Sequence, residues 1–374
     1  MQPIYLHHFE RIPARFSIVQ ANAARNLVEL RLALQERAAA AGRARATHER
    51  GALERRLARF GAGGAAIDLR GTEIEDYVLD LPAERDRLSL FGGDEPPDLG
   101  RRMEFYRGCV EDKLARFYPD GAALPDHLIH VTCTGYVAPS AAQVVAARSR
   151  RTDVTHAYHM GCYAALPAIR IGRGFACATV GAAVDIVHTE VCSLHFDPRA
   201  VDAEQLVVQS LFADGHIKYS LGRAPRAPAL EVCALREAVL PGSRDRMTWT
   251  VGPQQFDMTL ARDVPAVIAP HLRAFVDGLL DAGASSGAPP IFAVHPGGPR
   301  IIDGVERALA LDPAQTRESR AILRRHGNMS SATLPHIWQE ILADPARADG
   351  DRVVSLAFGP GLTLGGGVFR VCRP

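Results

Sequence analysis

The pattern of hydrophobic and polar positions predicts helices and strands that alternate along the first half of the chain. Apolar residues recur at helical spacing in 21–42 and in 101–118, which predicts two amphipathic helices. The apolar runs 127–135 and 183–196 are short and bounded by glycine or proline, as is typical of buried strands. The segment 205–222 has the pattern of a helix, a glycine turn and a further strand.

A similar rhythm returns in the second half. A long helix is predicted over 264–283, a strand entering a loop over 291–298, and two closing strands around a glycine turn over 353–372. Strands that alternate with helices in both halves indicate an α/β architecture. We place the halves at 1–225 and 226–374 and infer a duplication from the rhythm, because no repeat is visible in the residues themselves.

Two segments interrupt this rhythm. The stretch 43–98 is polar, rich in arginine and punctuated by glycine and proline, and within it FGGDEPPDLG is a clear loop. Pro167 lies five residues after Cys162 in an otherwise helical pattern. If the helix begins at Gly161, this proline should kink it.

Composition and charge exclude several classes of protein. The 374 residues are 47% hydrophobic and 23% charged, with a formal net charge of +1, so we expect no strong field for nucleic acid or an anionic membrane. No apolar run approaches the roughly eighteen residues of a membrane span, and the charged N-terminus lacks the apolar stretch of a signal peptide. The seven cysteines are scattered without CxxC spacing, which predicts a reducing cytoplasm rather than a disulfide framework or zinc site.

Cys162 follows a glycine at the head of an apolar segment, and two interpretations are open. Free cysteine is among the most buried residue types, so the side chain could serve packing alone. The N-terminus of a helix favours thiolate over thiol, which would instead make Cys162 a nucleophile.

His295 and Asn328 are the groups that would complete a thiol-based site. His295 ends an apolar strand and enters a glycine- and proline-rich loop, which is where α/β proteins place ligand clefts, although it could simply cap that loop. Asn328 follows Gly327, a pattern that also fits a helix stop and a new N-cap. An imidazole and a carboxamide supply a base for a thiol and donors for an enolate or thioester oxyanion, so the set needs no metal.

Four motifs carry a resemblance to a known family. They are HMGCYAALPAIR around Cys162, VHPGGPRIIDGVE around His295, GNMSSAT around Asn328, and FGPGL at 358–362. In order and approximate spacing they resemble the type III polyketide synthases, the chalcone-synthase-like branch of the thiolase superfamily. The resemblance implies a homodimeric α/β protein with the five-layer αβαβα thiolase-like fold, two pseudo-duplicated halves and a buried Cys–His–Asn site at the end of a pantetheine tunnel.

The resemblance also implies an acyltransferase reaction. Cys162 would hold the starter and the growing chain, His295 would activate the thiol, and His295 and Asn328 would both donate to the extender's thioester oxygen. A malonyl thioester would undergo decarboxylative Claisen condensation onto the acyl starter, repeatedly, before cyclisation to a pyrone or resorcinol. The starter would arrive on CoA or on an acyl-carrier protein, and no resident cofactor is implied.

Residues around the implied cavity follow the family in part. Phe212 resembles a gatekeeper phenylalanine, and Phe358, Gly359 and Pro360 belong to the loop that shapes the cavity floor. The chain departs from plant members at the second gatekeeper (Met258), a small cavity residue (His195), a Thr–Ser pair (Cys133 and Thr134) and a methionine that reaches into the partner's cavity (Ala138). These departures disfavour an aromatic starter and favour the bacterial relatives that make alkylpyrones or alkylresorcinols.

One basic segment matches the region where the family binds the phosphates of CoA. It contains Arg50, Arg55, Arg56 and Arg59. The alternative interpretation is a solvated helix face.

Three rival functions share the implied fold. A stand-alone ketosynthase would use the same three residues for a single condensation on carrier-bound chains. A hydroxymethylglutaryl-CoA-synthase-like reaction would need a catalytic glutamate, and none is obvious before the Cys162 segment. A non-catalytic thiolase-fold subunit usually lacks one of the three residues, and all three are present here.

Overall fold

The computed structural model describes residues 3–42, 50–60, 65–93, 95–149, 151–224, 226, 228–283 and 289–373. The helices of these residues are α1 Gln20–Ala40, α2 Arg50–Phe60, α3 Leu99–Phe117, α4 Ala141–Ala146, α5 Ala165–Ala178, α6 Ala203–Leu211, α7 Val264–Ala282, α8 Pro299–Leu309, α9 Arg317–His326 and α10 Thr333–Ala343. The strands are β1 Tyr5–Ile12, β2 Phe16–Val19, β3 Leu69–Thr72, β4 His127–Thr132, β5 Asp153–Tyr158, β6 Val184–Glu190, β7 Gly215–Gly222, β8 Ala229–Val239, β9 Met247–Val251, β10 Phe256–Leu260, β11 Ile291–Val294, β12 Arg352–Gly359 and β13 Thr363–Cys372.

A nine-stranded mixed sheet in the order β11-β12-β13-β8-β1-β7-β6-β4-β5 forms the framework. The strand series β4-β6-β7-β1 has one parallel pair followed by two antiparallel pairs. The series β11-β12-β13-β8 repeats that pattern, with the strands in the same relative order along the chain. The two halves of the fold therefore share a topology, although the sequence shows this only as a rhythm.

The halves are joined at the middle of the sheet. Strand β1 pairs with β8 through Tyr5↔Glu231 and Leu6↔Leu230. Helix α5 contacts β4, β6 and β7 of its own half and also β13, whereas α10 contacts β11 and β8 as well as β1 and β7. The fully buried Ile169 of α5 and Trp338 of α10 belong to a single apolar cluster with strands of both halves. Burial of this shared surface holds the two halves in one arrangement.

Most of the helices and strands predicted from the pattern are confirmed. Helices over 21–42, 101–118 and 264–283 correspond to α1, α3 and α7. The strand predicted over 183–196 is too long, because β6 ends at Glu190 and a 3-10 turn follows at Cys192–His195.

The structure defines two segments that the sequence left open. The polar stretch 43–98 contains α2 and β3 as well as loops. Helix α5 begins at Ala165 rather than at Gly161, so Pro167 lies in its first turn. A proline there lacks only an N–H that has no partner within the helix, so the sequence requires no kink.

None of the helices in the described segments combines the length and the apolar character that a membrane crossing requires.

Candidate active site

Cys162 lies in the turn between β5 and α5, just before the first residues of the helix. Its side chain is buried, with 8% exposed. The preceding Gly161 has φ +82°, and a Cβ there would lie 2.4 Å from Cδ of Pro360. The Gly161 N–H also donates to Sγ of Cys133 at 3.0 Å. The turn is therefore tight because glycine alone allows both this backbone angle and the close approach of the 359–361 loop.

Asn328 reaches the same region from the other half of the chain. Its N–H donates to the carbonyl of Leu211 at 2.9 Å, and its own carbonyl accepts from the N–H of Ala213 at 2.8 Å. These bonds hold Asn328 beside the intervening Phe212 as an isolated parallel bridge. Oδ1 of Asn328 accepts the N–H of Ser330 at 2.9 Å. Its buried Nδ2 has no hydrogen-bond partner in the described part of the chain and is available to a ligand.

His295 lies at the carboxyl end of β11. Its N–H donates to the carbonyl of Leu356 in β12 at 2.7 Å. The side chain is 1% exposed, and neither ring nitrogen has a partner within the described residues. Burial lowers the pKa of His295 to about 3, so the free ring is neutral. Two unpaired nitrogens in a buried ring are costly, and a ligand that bonds them recovers that cost.

Two contacts position the His295 loop within the fold. Leu356, which anchors its backbone, belongs to the strand that leads into the 359–361 loop packed on Gly161. A Cβ on Gly298 would lie 3.3 Å from Cδ1 of Leu211, which borders Phe212. The fold therefore directs the His295 loop toward the elements that carry Cys162 and Asn328.

The environment of Cys162 opposes a thiolate that forms alone. Burial raises the pKa of the Cys162 thiol to about 12, and the nearby Glu190 carboxyl adds to the rise. The side chains of Ser330 and Asn328 act in the other direction, and Oγ of Ser330 lies 3.9 Å from Sγ of Cys162. The Asn328 amide stabilises the thiolate without forming a geometrically good hydrogen bond to it, since its Nδ2 is unpartnered.

Glu190 connects the loop after β4 to the turn after Asn328. The carboxylate accepts the N–H of Cys133 at 3.0 Å and the hydroxyl of Thr134 at 3.1 Å through Oε2. Its other oxygen accepts the hydroxyl of Ser331. Burial raises the pKa of this fully buried carboxyl. Glu190 therefore fixes two walls of the site relative to each other.

A mainly apolar cavity opens beside Cys162. Its lining includes six of the residues that the resemblance assigned to substrate: Cys133, Thr134, His195, Phe212, Met258 and Pro360. Of the other three, Ala138 is exposed at the surface and Phe358 is buried within β12. Gly359 supports the loop instead, since a Cβ there would lie 2.2 Å from the Tyr163 ring. These three positions are outside the lining of this protomer's cavity, and their contact with substrate, which for Ala138 would be in the partner's cavity, stays a prediction.

His195 contributes a flat surface to the cavity and no free polar atom. Its Nε2 bonds the carbonyl of Thr134 at 2.7 Å, and its Nδ1 accepts the N–H of Phe256 at 3.0 Å. The ring stacks on Phe256 at 4.3 Å, and Trp249 meets its edge at 5.5 Å. Burial lowers the pKa of His195 to about 3. A neutral ring with both nitrogens occupied cannot recognise a polar group on a substrate.

The four arginines of the predicted CoA region lie on α2 and are exposed. Arg50 forms an ion pair with Glu29, with 2.9 Å between Nη2 and Oε2. Arg56 donates to the carbonyl of Val201, and the Arg59 guanidinium lies 5.1 Å from the ring centre of Phe60. Arg50 and Arg56 thus have partners in the protein itself, while their surface location fits either an anion site or a solvated helix face.

Two family profiles match the chain. The N-terminal domain of the chalcone and stilbene synthases matches residues 121–225, and the C-terminal domain of the same synthases matches residues 231–372. The chain belongs to the chalcone and stilbene synthase family. The Cys162 turn lies in the first matched region, and His295 and Asn328 lie in the second.

The chain covers very different fractions of two curated relatives. The probable polyketide synthase 1 of Dictyostelium discoideum is 32% identical over 252 residues, which are 64% of this chain and 8% of the relative. The type III polyketide synthase C of Arabidopsis thaliana is 28% identical over 295 residues, 73% of this chain and 76% of the relative. The chain therefore spans only a small part of the Dictyostelium protein.

Solved structures show the same fold at low sequence identity. The C-terminal type III polyketide synthase domain of Steely1 from Dictyostelium has a TM-score of 0.80 and 23% identity, and covers 99% of both chains. The 1,3,6,8-tetrahydroxynaphthalene synthase from Streptomyces coelicolor has a TM-score of 0.78 and 22% identity, over 99% of this chain and 100% of that one. This member of the chalcone and stilbene synthase family has the thiolase-like α/β fold of those proteins.

Sequence reasoning missed several residues that shape this family member's site. Glu190 and Ser330 were not singled out, although a lone acidic residue at the end of an apolar strand was a signal for Glu190. The hairpin β9–β10 covers the cavity with Trp249 and Phe256. The Trp249 indole donates to the carbonyl of Cys133 at 2.6 Å. The hairpin itself is predicted by the strand-like pattern of MTWTVGPQQFDMTL, and Trp249, one of only two tryptophans in the chain, could have indicated that it has a special role there.

Proposed function

We propose that this protein is a type III polyketide synthase that condenses malonyl units onto an acyl group held by Cys162. The observation that carries the proposal is the set of buried, unpaired groups on the elements that meet near Cys162. The Cys162 thiol lies beside the cavity, and the nitrogens of His295 and Nδ2 of Asn328 have no partner in the described structure. Thioester chemistry through an oxyanion needs a nucleophile and uncommitted donors of these kinds.

The thiol is activated by transfer of its proton to His295. Burial disfavours the charged form of each group, so neither ionises readily alone. Proton transfer creates a thiolate and an imidazolium together, and their attraction offsets the desolvation of both. The thiolate then attacks the carbonyl of an acyl thioester, the thiol of the carrier leaves with the proton from His295, and acyl-Cys162 remains.

Extension uses the hydrogen-bond donors of His295 and Asn328. A malonyl thioester places its thioester oxygen against His295 and Asn328. The bond between its carboxylate carbon and its methylene carbon breaks, carbon dioxide departs, and an enolate remains. The enolate carbon attacks the carbonyl of acyl-Cys162, a new carbon–carbon bond forms, and the Cys162 thiolate departs. The product is two carbons longer and can be reloaded, so repetition followed by ring closure gives a pyrone or resorcinol.

The cavity favours an elongated apolar starter. Met258 is a flexible thioether in the lining, and His195 offers only its ring face. Each buried methylene adds about 0.8 kcal/mol of binding. We therefore expect kcat/KM to rise from acetyl-CoA to medium and long acyl-CoAs until the chain fills the available space.

Product analysis with malonyl-CoA and acyl-CoAs of graded length tests this function directly. Mass spectrometry should show products extended by two or more malonyl units, with longer starters preferred. A single condensation, seen only with carrier-bound chains, would support the ketosynthase alternative instead. A flat profile or a preference for acetyl or aromatic starters would contradict the cavity argument while leaving the condensation intact.

The reaction should need no metal or other cofactor, because Cys162, His295 and Asn328 supply every group that the steps require. Glu73, Cys109 and His216 form a cluster of possible metal ligands away from the site. Nζ of the buried Lys113 lies 3.0 Å from Oε1 of Glu73, so an ammonium already neutralises that carboxylate. The assay should therefore give the same turnover with EDTA present.

The surface of α2 supports CoA as the carrier that delivers the acyl and malonyl groups. Exposed Arg55 and Arg59 can approach phosphates, and Arg262 lies 5.6 Å from the Phe60 ring at the end of the helix.

The seven cysteines are free thiols, which supports a reducing compartment such as the cytoplasm.

We expect a homodimer with the loop around Ala138 in its interface. Ala138 is exposed, and the neighbouring Tyr136 and Val144 expose 40% and 47% of their surface. Light scattering at micromolar concentration should give twice the mass of the 40.4 kDa chain. Val144→Arg should weaken the dimer, whereas Val180→Arg, at an 83% exposed position on another loop, should not. A fully active monomer would contradict this prediction.

A further inference from the structure

A second cavity adjoins the first. Apolar side chains of α1 and α2 form one side of it, including Ala23, Leu27 and Leu57. The exposed Ala24 lies at its outer end. The steps proposed for Cys162, His295 and Asn328 make no use of this cavity.

Phe196 is the one residue common to the described linings of the two cavities. It follows the 3-10 turn after β6 and is 4% exposed. Its ring packs edge-on against Tyr77, with 5.7 Å between ring centres. Helix α6 completes the partition, because Val208 faces the first cavity and Gln209 faces the second. The Phe196 ring therefore lies where the linings of the two cavities meet.

The second cavity contains unsatisfied polar atoms. Tyr77 and Gln209 line it with 5% and 4% of their surface exposed, and neither the Tyr77 hydroxyl nor Oε1 of Gln209 has a partner in the described residues. Nε2 of Gln209 donates to the carbonyl of Asp197 at 3.0 Å, which fixes the amide so that Oε1 remains the free acceptor. Buried groups of this kind are normally paired, so the cavity is built for a guest with polar atoms.

We propose that the second cavity receives the far end of a long acyl starter that carries a terminal hydroxyl group, and that Phe196 admits it. This inference rests on the proposed function, since the other end of that starter is the thioester on Cys162. A hydroxyl both donates and accepts, so a terminal hydroxyl can donate to Oε1 of Gln209 and can accept from the Tyr77 hydroxyl. The methylenes before it match the apolar side formed by α1 and α2.

Other chain ends fit less well. A terminal methyl leaves both polar atoms unpaired, and a carboxylate sets a negative charge against the carbonyl oxygen of Gln209. Arg70 lines the cavity, but its Nε already donates to Gln20 and its Nη1 to the carbonyls of Gln209 and Phe212. Nε and Nη1 are thereby committed to the protein, and the carbonyl oxygen of Gln209 favours the hydroxyl over the carboxylate.

The test compares hexadecanoyl-CoA with its terminally hydroxylated and terminally carboxylated forms, using octanoyl-CoA as the short reference. In the wild type, kcat/KM should be at least about fivefold higher for the hydroxylated than for the plain long chain. Tyr77→Phe should bring these two values closer together, because it removes one of the two partners of the hydroxyl, whereas Tyr5→Phe in β1 should leave the difference unchanged. Ala23→Phe, which fills the second cavity, should lower the long-to-short ratio about tenfold or more.

Each readout is a ratio between substrates on one preparation, so partial misfolding of a variant cancels. Phe196→Leu should raise the long-to-short ratio if the ring is the barrier. Equal values for the three long chains in the wild type, or a preference for the carboxylate, would overturn the proposal, as would an unchanged ratio in Ala23→Phe. Binding of the same thioesters to Cys162→Ala, measured by calorimetry, gives the same comparison even if no starter is condensed, which separates this inference from the proposed function.

Discussion

Cys162→Ala should abolish condensation while the decarboxylation of malonyl-CoA survives. Without the thiol no acyl group can be loaded, so the enolate has no electrophile to attack. The donors on His295 and Asn328 remain, so carbon dioxide can still leave and acetyl-CoA should accumulate. Product formation should fall by at least about 10³-fold, as measured by mass spectrometry, with decarboxylation followed separately.

Substitution of His295 or Asn328 should affect different reaction steps from substitution of Cys162. His295→Ala and Asn328→Ala each remove a donor to the enolate oxygen, and loss of one such donor typically costs about 10²–10³ in rate. Both variants should therefore lose decarboxylation as well as condensation. His295→Ala should in addition slow alkylation of Cys162 by iodoacetamide, because the proton acceptor of the thiol is gone.

Cys177→Ala provides the matched control for Cys162→Ala. Cys177 is an exposed cysteine in α5, the helix that follows the Cys162 turn. Its substitution should leave both steps at the wild-type rate. If Cys162→Ala made product at a rate near that of the wild type, Cys162 would be a packing residue and the proposed mechanism would be wrong.

Acidification from about pH 7 to about pH 5 should remove a large part of the folding stability. Burial lowers the folded-state pKa to about 3 for each of five histidines: His130, His188, His195, His295 and His336. The ordinary histidine pKa of 6.5 applies to the unfolded chain. Below that value the unfolded chain binds protons that the folded protein does not, so stability falls with pH down to about 3.

The expected loss is large compared with the usual stability of a domain. Each such histidine costs up to about 1.4 kcal/mol per pH unit, and typical unfolding free energies are only about 5–15 kcal/mol. Asp214 acts in the opposite direction, because burial raises its pKa to about 7 and the folded protein therefore gains a proton on acidification. Glu190 adds to that opposition, since burial raises its pKa also. The stability lost at the five histidines nevertheless exceeds the stability gained at Asp214 and Glu190.

Chemical denaturation followed by circular dichroism across this pH range measures the effect. His130→Gln should make the free energy of unfolding less dependent on pH, because it removes one of the five groups. His271→Gln, at an exposed position in α7, should not change that dependence. A free energy of unfolding that stayed constant between about pH 7 and about pH 5 would contradict the assignment of neutral buried imidazoles.

The sequence predicted the elements whose pattern is local. Helices α1, α3 and α7 have regular apolar spacing, and β4 is a short, mostly apolar run bounded by turn residues, so each was visible without the fold. Strand β1 was missed because His7, His8, Glu10 and Arg11 break its apolar pattern. Its position between β7 and β8 comes from pairing with residues more than two hundred positions away, and local pattern carries no information about such pairing.

The sequence by itself determined which residues could perform the chemistry: a thiol, an imidazole and a carboxamide in motifs of one family. Only the tertiary structure decided the charge of these groups and which of their atoms are free to form hydrogen bonds. It left the nitrogens of His295 and Asn328 without partners in the described residues, occupied both nitrogens of His195 with backbone groups, and placed Glu190 between the loops after β4 and Asn328. The reason is physical: residue type fixes what a side chain can donate or accept, but burial and the partners brought by distant segments fix its charge and its free hydrogen bonds.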